Sequence, residues 1–383
     1  MSLKVYFFSN GTGGGVLSVI NNLLFFATNP NIESHIIYTI NKDKTQNYAL
    51  NHIIGSASES VFYYSSKWNF NYTCKKLAKV LTDENCLIVA NDWLELAMVS
   101  HLGLSNRVIY ILHGDYEYYY QLAFENQLAI DTFITVSNSI KTKLVSKLKN
   151  REQDIFYLPF PVPNSTYSNT EKQKNSIIFI GRCTKAKGYH LLPKIAELLK
   201  NNNIELNWHI VGAANEIDKF KWSDKVKVQF YGQLSNMQVM SLLCRMQLFI
   251  LPSFAEGMPV SLIESMKAGT VPIMNNKCSD GIQELIINGE TGFLSQNNLV
   301  EEYVAILQEL VLNKTLIKKM SINAIEKANQ LFNPIKNMLA YEDIFEKMGS
   351  KKILVKPITK IYGSRLDKTW IPNFITKTIR QIK

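Results

Sequence analysis

Two carboxylates, Glu256 and Glu264, stand in the segment PSFAEGMPVSLIESMKAG (252–269), which reads as a loop followed by a helix. An apolar run ending at Leu251 feeds the loop. Pro259 suits a first helical turn, where its missing N–H has no partner to lose. The tip of such a helix turns free N–H groups and a positive dipole end toward the loop, which suits a diphosphate. Glu256 lies in the loop and Glu264 inside the helix, so they would meet different parts of one elongated ligand: sugar hydroxyls and a ribose diol. Two surface glutamates on an ordinary helix would share this spacing. A second segment, GRCTKAKG (181–188), follows an apolar run ending in Phe179 and Ile180. Gly181 lets backbone approach a ligand closely. Arg182, as a planar fork, and Lys187, as a point charge, could clamp two phosphates and neutralise a leaving diphosphate without a metal. A solvated basic loop would read the same way.

Two further signals lie in the first half. NGTGGG (10–15) opens a helix after the first strand and has the shape of a phosphate cradle, with Gly14 and Gly15 at the helix start. It does not complete the dinucleotide fingerprint, because Ser18 stands where the last glycine belongs, and no G-K-[ST] follows to make a P-loop. That argues against a nicotinamide oxidoreductase. His113 closes the run VIYIL, and strand ends in open parallel sheets face the ligand crevice. A structural histidine is the alternative there. The tyrosine-rich run 116–120 is either a stacking platform for acceptor sugars or a packed loop.

These residues need a scaffold that brings strand ends together. Short apolar runs at 4–8, 35–40, 86–90, 107–112 and 132–136 alternate with helical segments, one of them at 16–27. The polar stretch 161–175 reads as a linker. The rhythm then restarts with a strand at 176–180, a helix at 189–201, strands at 206–211, 226–231, 248–251 and 271–274, and a helical pattern over 300–348. Alternation of this kind predicts two parallel sheets, each covered on both faces.

The 383 residues suit two domains. The five cysteines are odd in number and scattered, and the six histidines lack ligand spacing, so neither a disulfide framework nor a metal site is expected. No apolar run reaches a membrane-spanning length, and the glycine-rich start does not read as a signal peptide, so a cytoplasmic protein is expected. The net charge of +10 is concentrated at the end: residues 351–383 carry nine Lys/Arg and one acid, Asp367. With Trp370, Phe374 and several Ile and Leu interleaved, this tail suits an anionic membrane surface, or else packs as a basic helix on the first domain. No nucleic-acid reading motif is visible.

Taken together, the segments resemble retaining glycosyltransferase family 4, with the GT-B fold, over residues 4–345. The E-x7-E element at Glu256 and Glu264 and the G-R-x4-K-G element at 181–188 carry most of the likeness. Gly281-Ile-Gln-Glu284, the turn at 289–292, Gly14-Gly15, His113 and the run 135–137 add to it. The resemblance implies two Rossmann-like domains facing a central cleft: an acceptor domain (1–163), a nucleotide-sugar donor domain (164–345), and a basic tail (346–383) returning to the first domain. It implies a retaining, metal-independent hexosyl transfer with no cofactor, from a donor such as a UDP-sugar to a saccharide or lipid-linked saccharide. The frequent Lys, Asn and Ile suit an AT-rich bacterial genome, and with it a setting in cell-envelope polysaccharide or lipopolysaccharide synthesis. Glu256 would position the donor sugar, Glu264 the ribose, and Arg182 and Lys187 the diphosphate. Gly14, Gly15 and Gly181 would bring backbone to the ligand, Gly257, Met258, Pro259 and Val260 would meet it at the helix start, and His113 would contact the sugar. A non-catalytic nucleotide-sugar-binding partner subunit is the alternative, which the presence of Glu256 disfavours. Two places depart from the family pattern: Ala213-Ala214 after Gly212, and Pro163-Asn164-Ser165-Thr166 after the linker strand.

Overall fold

The computed structural model of the chain describes all residues except Met1, Gln46, Asn47, Ala49, Asn51, Glu84, 166–170, 214–220, 359–362 and Lys383. Part of the predicted linker, Thr166 and Ala214 therefore lie outside the described residues. The chain forms two compact units. Unit 1 comprises Met1–His113, Glu117–Pro161 and Ile335–Lys383, and unit 2 comprises Gly114–Tyr116 and Val162–Pro334. The helix Pro334–Ser350 thus belongs almost wholly to unit 1, whereas the sequence pattern keeps it with the second domain through 345.

Unit 1 is built on seven strands: β1 (Leu3–Ser9), β2 (Ile32–Asn41), β3 (Ser58–Tyr64), β4 (Leu87–Ala90), β5 (Arg107–Leu112), β6 (Thr132–Thr135) and β7 (Ile155–Tyr157). All pairings are parallel, in the order β3-β2-β1-β4-β5-β6-β7. Every residue of β4, β5 and β6 is buried, the pattern of central strands covered on both faces. Unit 2 repeats the plan with β8 (Ser176–Ile180), β9 (Asn207–Val211), β10 (Val228–Gly232), β11 (Leu248–Leu251), β12 (Val271–Asn275) and β13 (Phe293–Ser295), ordered β10-β9-β8-β11-β12-β13. In each sheet the winding direction reverses once, between β1 and β4 in unit 1 and between β8 and β11 in unit 2. Ligands of doubly wound folds bind beyond the strand ends at this reversal.

The structure corrects the sequence expectation in detail. β3 was not expected; it is an edge strand, SESVFYY, with only Phe62 buried, so it lacks a continuous apolar run. β7 and β13 are three residues long, below what periodicity resolves. The helical pattern over 300–348 is three helices, Val300–Leu312, Lys314–Leu331 and Pro334–Ser350. Asn313 separates the first two, its side chain accepting from Leu316 N at 2.9 Å. The helix expected from 189 begins at Leu192, after a 3-10 turn at Tyr189–Leu191.

One buried cation joins the ends of unit 2. Lys267 closes the helix Val260–Lys267, and its ammonium donates to Val162 O (2.7 Å), Asn164 Oδ1 (2.8 Å) and Phe332 O (2.7 Å). Burial lowers its pKa to about 7. Three acceptors match its three N–H donors, so the segments entering and leaving the unit are held by one side chain.

Candidate functional site

The two loops at the reversal of unit 2 are the two singled out in the sequence. The loop after β8 holds Gly181, Arg182, Lys187 and Gly188, and the loop after β11 leads through Glu256 and Gly257 to Pro259. They are stitched together by backbone. Phe254 N donates to Ala186 O at 2.9 Å and Ser253 Oγ to the same oxygen at 3.1 Å. Asn275 Nδ2 holds Ser253 O at 2.8 Å, and Glu256 N donates to Cys278 O at 2.7 Å.

This lacing places Lys187 against Glu256. Its ammonium donates to Oε1 at 2.6 Å and Oε2 at 2.8 Å, and the carboxylate side chain is only 6% exposed. The charge is felt nearby: burial, then Glu256, push the Cys278 thiol up to about 12, with Lys187 opposing. Tyr116, which belongs to unit 2, donates its hydroxyl to Ala255 O at 3.0 Å, and burial and Glu256 raise its phenol. Arg182 is exposed at the start of its loop. Gly257 forms an antiparallel bridge with Gly114, and Met258 and Val260 are buried at the helix start.

Pro259 is the N-cap of the helix Val260–Lys267, with no side chain capping it. Glu264 sits inside this helix, buried, with its pKa raised to about 8 by desolvation alone. Among the described residues its carboxyl accepts no side-chain or backbone hydrogen bond. Buried carboxyls are nearly always hydrogen-bonded, and an uncompensated one is a mark of function.

Unit 1 gathers its own polar group at the β1/β4 reversal. Gly14 caps the helix Gly15–Phe25 without a side-chain hydrogen bond, and among the described residues, chain neighbours aside, no atom comes within 4 Å of where a Cβ at Gly14 or Gly15 would stand. Asn91, just past β4, donates from Nδ2 to Phe8 O at 2.8 Å, which turns its Oδ1 toward His113 Nε2 at 2.6 Å. His113 therefore donates from Nε2, and burial lowers its pKa to about 3, so the ring is neutral with Nδ1 bare. Glu95 accepts from Asn91 N and Asp92 N at 2.8 and 2.7 Å, and burial raises its pKa to about 8. The Asp92/Glu95 capping box has a signature legible in the sequence, D-x-x-E; Asn91 has no such signal. A cavity of about 290 Å³ opens past the ends of β2 and β3, lined by Asn41, Tyr64, Trp68, Phe70, Trp93 and Arg380 among others. These aromatics are scattered along the chain and form no motif that a sequence would reveal.

Residues 164–327 match the family model described as Glycosyl transferases group 1. The chain is a glycosyltransferase. The matched span contains Arg182, Lys187, Glu256 and Glu264. The glycosyltransferase is similar to an uncharacterized glycosyltransferase of Haemophilus influenzae, 26% identical over 305 residues, 73% of this chain and 79% of that protein. It is 25% identical over 188 residues to the UDP-Gal:alpha-D-GlcNAc-diphosphoundecaprenol alpha-1,3-galactosyltransferase of Escherichia coli, covering 47% of this chain and 48% of that protein. The chain thus spans about half the length of that relative. Anabaena HepE in complex with UDP and glucose superposes with a TM-score of 0.70 at 15% identity, covering 90% of the glycosyltransferase and 100% of that chain. The fold is GT-B, with two parallel-sheet α/β units.

Proposed function

We propose that the glycosyltransferase moves a hexose from a UDP-sugar to an acceptor hydroxyl with retention of configuration and without a metal. The observation that carries this reading is the Lys187–Glu256 pair at the sheet reversal of unit 2, followed on the next helix by a buried carboxyl, Glu264, with no hydrogen-bond partner among the described residues. The bond from the anomeric carbon to the diphosphate oxygen breaks, and the diphosphate leaves as an anion. The acceptor oxygen bonds to the same face of that carbon, and its proton passes to the departing phosphate. Arg182 and Lys187 stabilise the charge on the leaving group, which is the main work of such a site. Glu256 accepts from the sugar hydroxyls and Glu264 from the ribose diol. Backbone at Gly181 and 257–260 meets the ligand. The aromatic cavity of unit 1 suits an acceptor saccharide, which presents apolar C–H faces and hydroxyl rims.

The Escherichia coli relative names a diphosphoundecaprenol-linked acceptor. That name and the tail's charge support a lipid-linked acceptor in envelope polysaccharide or lipopolysaccharide synthesis, with the enzyme peripheral at a membrane. No helix among the described residues is long and apolar enough to cross one. The reading is tested by incubating the protein with UDP-glucose, UDP-galactose and UDP-N-acetylglucosamine and following UDP release with and without EDTA. The anomeric proton of any product is then assigned by NMR. UDP release that needs a divalent ion, or a product of inverted configuration, would overturn it.

Glu264 gives a prediction with a defined sign. A carboxyl raised to about 8 is mostly protonated at pH 7. If the ribose diol donates to its ionised form, binding lowers that pKa, so UDP binding at pH 7 releases up to about one proton and weakens as pH falls below 8. Calorimetry in two buffers of different ionisation enthalpy measures this. Glu264→Gln should bind without proton release and roughly 10–100-fold more weakly, the worth of a hydrogen bond to a charged group. Equal heats for the unaltered protein in both buffers would refute the role.

A further inference from the structure

The helix Asn373–Ile382 is packed inside out. Thr376 is its buried residue, and its hydroxyl donates to Leu366 O at 2.8 Å. Asn373 and Arg380 share that face, at i−3 and i+4 from Thr376. Asn373 Oδ1 accepts from Asn69 N at 2.8 Å, and Arg380 donates to Trp68 O and to Asp367 Oδ2, both at 2.6 Å. Asp367 in turn accepts from Phe70 N at 2.8 Å. The helix is therefore held to unit 1 by polar groups.

Its apolar stripe faces the other way. Phe374 is 69% exposed and Ile382 81%, with Ile375 and Ile379 exposed between them, and Trp370, just before the helix, is 73% exposed. A helix on a globular body ordinarily turns its apolar stripe inward. A contiguous exposed stripe of this kind marks a surface that something covers. The tail's own exposed charge beside it has one sign. Arg365, Lys368 and Lys377 are exposed, while Asp367 is buried and taken up by Arg380, Ser364 and Phe70 N.

We propose that Asn373–Ile382, with Trp370, is the membrane-inserting element of this enzyme, lying in the plane of an anionic bilayer surface. Phe374, Ile375, Ile379 and Ile382 enter the boundary of the acyl chains. Lys368 and Lys377 meet lipid phosphates, and Trp370, with the Lys368 ammonium 5.9 Å from its ring centre, sits at headgroup level. Apolar insertion beside a cationic rim is the pairing of signals that gives stable interfacial binding. A second copy of the chain would bring like-charged tails together, which disfavours a dimer on this face. The helix also lines the cavity through Arg380, so docking would set that cavity beside the interface where a lipid-linked saccharide presents its sugars. This inference rests on the peripheral-membrane reading above and adds the element that inserts and its orientation.

The test is co-sedimentation of the full chain with phosphatidylcholine/phosphatidylglycerol vesicles and with pure phosphatidylcholine vesicles. The full chain should bind the anionic vesicles and blue-shift its tryptophan emission, and Trp370→Phe should lose the shift. The double variant Phe374→Glu/Ile382→Glu should bind at least roughly tenfold more weakly, since it places charge where apolar area is buried. Its thermal midpoint and UDP-sugar hydrolysis should be unchanged, because neither side chain holds the fold. If the full chain binds and the double variant binds equally, the helix is not the inserting element although the peripheral reading stands. If the full chain binds neither vesicle, both readings fall. If light scattering shows a dimer that the double variant abolishes, a second copy covers the stripe and the proposal is overturned.

Discussion

Glu256→Gln and Lys187→Ala are each expected to lower UDP-sugar turnover by about two to four orders of magnitude, the range lost when a preorganised charge or donor is removed from the reacting group. The two residues form one ion pair in which Glu256 is buried and Lys187 partly exposed, so each variant also perturbs the other's partner. Removing one member of such a pair strands a buried charge, at about 3–5 kcal/mol of stability. Lys187→Ala should therefore lower the thermal midpoint as well as the rate. The double variant Lys187→Met/Glu256→Gln separates the two effects, because it removes both charges and should recover most of the midpoint while staying inactive. Turnover that returned with stability in the double variant would show that the pair is structural, and the catalytic assignment would fail.

That coupling is where the sequence stopped being legible. The sequence points to one donor site, with Glu256 for the sugar, Glu264 for the ribose, and the helix tip and loop 181–188 for the diphosphate, but it shows no direct contact between the two loops. The structure joins them through Ala186 O, which receives both Phe254 N and Ser253 Oγ. No spacing rule encodes a contact between loops so far apart in the chain. What the sequence does encode is local. Continuous apolar runs gave the central strands β4, β5, β8 and β11, because strands buried on both faces carry no polar alternation. Edge strand β3, with Phe62 alone buried, gave no run to read. Asn91 and Lys267 were invisible for a related reason: each acts through partners remote in sequence, His113 and Phe8 for one, Val162 and Phe332 for the other. The inside-out helix shows the opposite case. Its amphipathic composition was plain, and the direction of its apolar face depended on where Asn69 and Asp367 would meet it.

Gly188→Ala should be among the most damaging single substitutions in unit 2, with a loss on the order of 3 kcal/mol or more from steric overlap added to an unfavourable backbone. Gly188 has φ +69°, and a Cβ there would lie 1.9 Å from Pro252 O. The contact is with backbone, which cannot swing aside, and Pro252 begins the loop that carries Glu256. Relief would require the loops after β8 and β11 to part, and Lys187, the neighbouring residue, would be drawn off Glu256. Activity should fall with stability for that reason. Gly289→Ala is the matched control, since Gly289 also has a positive φ, +81°, with nothing within 4 Å of the added atom. It should lose only the backbone part, about 1 kcal/mol, and keep its turnover. Chemical denaturation of the two variants beside the unaltered protein measures the difference. Equal losses at the two positions would mean that φ alone sets the cost, and that the close approach of the two loops at Gly188 plays no part in holding the ion pair.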